Sequence, residues 1–114
     1  MSQHALLSPA RWSKFTLGQQ ILQIGVEMQR ARSCFDPLDR AGLGASYERV
    51  LRLVDLTVEV NQVPNLRREL LRWRGVIAGF FVGDEPDRSG HDAALRVLLE
   101  LHPESSPHVA FIGT

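Results

Sequence analysis

From Thr16 onward the apolar positions Leu17, Ile21, Ile24, Met28, Ala31 and Phe35 recur at intervals of 4, 3, 4, 3 and 4. That spacing sets all six on one helical face. Thr16 followed three residues later by Gln19 has the form of a capping box. An earlier start at Ser8, with Pro9 at the first helical position, fits equally well and adds Trp12 and Phe15 to the apolar face. The helix is expected to stop near Cys34, because Asp36 precedes Pro37 and that position disfavours helical backbone.

Residues 36–46 hold Pro37, Gly42 and Gly44 and read as a connection with room for a short turn of helix. A second helix is expected from about Ala45 to Val60, with Tyr47, Leu51, Val54 and Val58 inward and Glu48, Arg52, Asp55 and Glu59 in water. A further apolar row, Leu53, Leu56 and Val60, makes this helix broad enough to touch more than one neighbour. Pro64 opens a third helix whose core row is Leu66, Leu70, Trp73, Ile77 and Phe80. Residues 76–82 also suit a buried strand, but the unbroken register from Leu66 favours helix. After a turn-rich loop at 83–90, Ser89 with Asp92 predicts the cap of a shorter fourth helix. It carries Ala94, Leu98 and Leu101 and ends before Pro103. The tail, with His108, Val109 and Phe111, is expected to dock as a strand or fray. The fold expected is therefore all-α: one domain over 1–114, an antiparallel up-and-down bundle of three long helices, a shorter fourth helix and an irregular C-terminal tail.

Composition adds exclusions. A chain of 114 residues with 44% hydrophobic and 23% charged content is suited to one globular core. Thirteen basic residues balance thirteen acidic ones, so no overall field draws it to nucleic acid or a membrane. The longest strongly apolar run, 75–83, is too short to span a bilayer, and the N-terminal segment lacks the pattern of a secretory signal. A cytoplasmic location is expected. The single cysteine, Cys34, excludes an internal disulfide and reads as an inert thiol.

Candidate chemistry is sparse. No Glu-x-x-His element of a di-iron bundle occurs, and His4, His91, His102 and His108 read as surface or capping side chains. No glycine loop for nucleotides is present, so no catalytic, cofactor-binding or metal-ligating residue is assigned. Glu27 and Arg30 flank the apolar row of the first helix, where a buried pair would serve to fix register. Gly75 and Gly79 predict a close crossing with Gly18 and Gly25 of the first helix. The leading expectation is a non-enzymatic protein that associates with a protein partner or with itself through Leu53, Leu56, Val60, Phe81 and Val82. The alternative is an RNA- or anion-binding domain using Arg67, Arg68 and Arg72. Arg96 and His102, with leucine-rich sequence between them, resemble the spaced Arg…His element of the HEPN family of helical RNA-cleaving domains. That resemblance implies an RNA site at a dimer interface lined by the two side chains. A small apolar ligand held near Trp73 and Phe80 is a third reading.

Overall fold

Local capping chemistry sets the start of most helices. The computed structural model describes residues 7–103 and 105–107, so the expected tail contacts at 108–112 lie outside the described residues. Both proposed starts of the first helix are used, by two separate helices. Ser8 caps the short α1 (Pro9–Trp12), and Thr16 caps α2 (Leu17–Arg32), where the Thr16–Gln19 box is complete. The helices α3 (Arg40–Val60), α4 (Pro64–Val82) and α5 (Arg88–Glu100) follow, and the described residues contain no strand. The protein is all-α, and 76–82 is helix.

Two boundaries differ from expectation for one reason. α3 begins at Arg40 instead of Ala45, because the Asp39 carboxylate accepts from the Gly42 N–H at 2.9 Å. α5 begins at Arg88 because Asp87, and neither Ser89 nor Asp92, accepts from the Gly90 N–H at 2.8 Å. In each case an Asp-Arg-x-Gly sequence sets a carboxylate where the third helical residue's side chain would otherwise stand. Gly42 thus belongs to the first turn of a helix and not to a loop.

α2 packs on α3 and α5, α4 packs on α3 and α5, and α3 therefore meets α1, α2 and α4. These pairings are consistent with the expected bundle. They also explain the breadth of α3, where Leu43, Tyr47, Val50, Leu53, Val54, Leu56 and Thr57 are all buried and the predicted Leu51 and Val58 lie at the flank. The floor of the core comprises Ile21, Ile24 and Met28 of α2, Leu70, Trp73 and Ile77 of α4, and Leu95 and Leu98 of α5. Gly25 meets Leu95 and Leu99 of α5, so the close approach on α2 is to α5. The expected crossing with Gly75 and Gly79 does not occur. A Cβ at either position would meet nothing within 4 Å, because both face outward from α4.

Buried hydrogen bonds from side chains, to other side chains and to backbone carbonyls, lock the packing. Trp12 Nε1 donates to Thr57 Oγ1 at 2.9 Å, and Gln20 Nε2 donates to the Trp12 and Phe15 carbonyls, fastening α1 to α2 and α3. Trp73 Nε1 donates to the Ala94 carbonyl at 2.8 Å and ties α4 to α5. Such bonds let an indole sit in a core without an unsatisfied N–H.

Candidate functional site

Besides the Gln20 and Thr57 bonds described above, two places among the described residues hold buried ionisable side chains. The first is centred on Glu27, whose side chain is buried against α3. Arg30 Nη1 donates to Glu27 Oε1 at 2.7 Å, and Arg49 Nε donates to Oε2 at 2.9 Å. Arg49 Nη2 also reaches Ser46 Oγ at 3.1 Å, so one carboxylate holds two arginines from two helices. The expected Glu27–Arg30 pair therefore forms, and Arg49 is a member that the spacing along α2 alone did not reveal. A charged triad of this kind fixes the register of α2 on α3 more than it adds stability.

The second is His91, expected to be a surface or capping side chain and in the structure fully buried. Its Nε2 lies 2.8 Å from the Met28 carbonyl and its Nδ1 lies 2.8 Å from Tyr47 Oη. The ring also packs edge-on against Phe35. Burial pulls the imidazole below its ordinary pKa, opposed by the Met28 bond and by Asp92. Burial raises the Tyr47 phenol in the same way, so both groups are held neutral. Nearby, Arg32 Nε and Asp92 Oδ1 form an ion pair at 3.0 Å between α2 and α5, without the alignment of a hydrogen bond.

The predicted association residues are not brought together. Leu53 is fully buried in the core; Leu56 is nearly so, its edge lining a surface groove with Leu7 and Leu51; Val60 is half-buried; Phe81 and Val82 are exposed at the C-terminal end of α4. The arginines do not converge either. Arg67 caps the end of α3, donating from Nε to the Val58 and Asn61 carbonyls, while Arg72 pairs with Glu69 and Arg68 projects into solvent. Arg96 is exposed on α5, whereas His102 lies past the helix end in a turn whose carbonyl accepts from Ser105 and Ser106.

What the sequence reading missed is a groove of about 340 Å³ between α4 and α5. Trp73, Val76 and Phe80 form one wall, Ala93, Val97 and Leu101 the other, and the Glu69–Arg72 pair stands on the rim. Val76 and Val97 are 45% and 51% exposed, while Leu71 and Val82 are exposed on a different side of α4, more than about 90° around the helix from Val76. The signal was present in the sequence as Val76 and Val97, apolar residues one step off the core rows. A smaller recess of about 200 Å³, lined by Tyr47, Phe80 and Phe81, adjoins it across α4. Its two charged groups, Asp87 and Arg40, are engaged with the Gly90 N–H and the Asp84 carbonyl.

Among the described residues no group of three or more His, Cys, Asp or Glu side chains is placed to hold a metal ion, and no helix is long and apolar enough to cross a membrane. No protein family matches the chain, and no match was found among curated proteins or solved structures.

Proposed function

We propose that the protein acts by association, without catalysis, through the face that α4 and α5 share. The observation that carries this reading is the open apolar groove with Val76 and Val97 at its mouth. Contiguous apolar surface of this kind costs solvation unless something covers it. The interior polar groups support the same reading. Both His91 nitrogens, the Glu27 carboxylate and the Arg67 guanidinium are already committed to bonds within the protein. The surface differs from the one expected from the sequence: Val76 and Val97 take the place of Leu53, Leu56 and Val60, and of the expected residues only Phe81 and Val82 at the α4 end stay exposed.

A photo-reactive side chain at Val97, with another at the exposed Gln23 of α2 as control, tests the reading in cells that express the full chain. A cross-linked adduct of defined mass is expected from position 97 and not from position 23. Equal yields from the two positions, or none from either, overturn it.

A further inference from the structure

We infer that the occupant of this face is a second copy of the chain, joined about a two-fold axis with the two α4 helices antiparallel. This rests on the association reading above and names its partner.

The charges of α4 run against its own dipole. Arg67 and Arg68 stand in its N-terminal part, and Asp84 and Glu85 follow immediately after its C-cap, Gly83. A helix favours the opposite arrangement at both ends. Arg67 is occupied by the carbonyls of α3, but Arg68 and Glu85 are exposed, and neither forms an ion pair among the described residues. An antiparallel copy brings the acidic end of one α4 to the basic end of the other, twice, by symmetry. A parallel copy would set arginine on arginine and carboxylate on carboxylate.

The register agrees with this. A two-fold passing near Ile77 sets Gly75 opposite Gly79 at the centre, brings Leu71 to the level of Val82, and brings the Arg68 end of one helix to the level where the other's Asp84–Glu85 segment begins. The outward side of α4 then carries apolar residues and glycines where the partner backbone must approach, and complementary charges at the two ends. With 19 residues, α4 is about 28 Å long at 1.5 Å per residue, long enough to hold all three layers of contact. Val76 lies about 60° around α4 from Gly79, so the mouth of the groove adjoins the crossing. An isologous pairing of this kind closes at two copies and leaves no free end to propagate.

The test is sedimentation equilibrium of the purified full chain across a wide concentration range. A dimer is expected. Arg68→Glu should weaken it at least about tenfold by setting like charges at both contacts, and Arg68→Glu combined with Glu85→Arg should restore it. Gly79→Leu should abolish it while the helical circular dichroism is retained, because nothing in the monomer lies within 4 Å of that position. A dimer indifferent to Arg68→Glu and Gly79→Leu overturns the inference. So does a strict monomer. If that monomer still yields an adduct with a different protein from position 97, the association reading survives and only the second copy falls; with no adduct, both fall.

Discussion

Tyr47 and His91, on α3 and α5, form a hydrogen bond of 2.8 Å in the centre of the bundle. Its direction follows from the neighbouring atoms. The Met28 carbonyl can only accept, so Nε2 carries the imidazole hydrogen and Nδ1 accepts from the Tyr47 hydroxyl. Three helices thus meet through one neutral ring, and the tautomer is set by tertiary contacts.

The first prediction concerns pH. An unfolded histidine titrates near 6.5, and burial holds His91 below that in the fold. As pH falls below about 6.5 the unfolded chain takes up a proton that the folded chain refuses, so stability falls. The loss ends once the pH is low enough to protonate His91 in the fold as well. Urea midpoints should hold steady from pH 8 to about 7 and decline as pH falls below about 6.5, and His91→Gln should reduce that decline. An unchanged decline in the variant contradicts the assignment.

Tyr47→Phe removes the hydroxyl and leaves Nδ1 of a buried imidazole without a donor. A loss of about 1–3 kcal/mol is expected from an unsatisfied buried acceptor, read as a shift in the chemical-denaturation midpoint at constant slope. Tyr47→Phe combined with His91→Phe or His91→Leu should cost less than the sum of its parts, because the orphaned atom is then gone.

Glu27 presents a different balance. Its carboxylate is 1% exposed, whereas the Arg30 and Arg49 side chains are 63% and 29% exposed. Loss of the acid leaves Arg49 as the half-buried unpaired charge, while Arg30 returns to water. Glu27→Gln should therefore cost about 1–3 kcal/mol, below the 3–5 kcal/mol of a fully buried broken pair. Glu27→Met with Arg49→Met should recover most of it, measured by thermal unfolding of the two variants side by side.

Glycine-to-alanine substitutions should have opposite signs at two helical positions. At Gly75 a Cβ meets open space, so Ala should stabilise the monomer by up to about 1 kcal/mol. At Gly42 a Cβ collides with the Asp39 carboxylate and crowds Cys34 Sγ at 3.1 Å. Loss of that cap should cost about 1 kcal/mol. Thermal midpoints of the two variants, taken below any dimerisation concentration, decide both.

Helices that rest on nearest neighbours in the chain are legible in the amino-acid sequence. The Thr16–Gln19 box, Pro9 and Pro64 at first helical positions, and the core row of α4 all depend on residues a few positions apart. The starts of α3 and α5 are local as well, yet the expected boundaries were misplaced because Gly42 and Gly90 read as loop residues. The shared Asp-Arg-x-Gly sequence at 39–42 and 87–90 was the available signal. Arg67 reads as a candidate for anions because its charge is visible, whereas the α3 carbonyls that occupy it are displayed only once the chain turns at Asn61.

By itself the sequence determined that this chain is helical, roughly where each helix lies, and which side of each is apolar, since these follow from a short-range period and from caps. Which apolar residues lie inside was a tertiary decision. Leu53 and Leu56 are buried because α3 has neighbours on several sides, while Val76 and Val97 remain open at the groove between α4 and α5. The same holds for His91. One ring nitrogen reaches α2 and the other α3, across separations of 63 and 44 residues, and no local pattern encodes a hydrogen bond made over such distances.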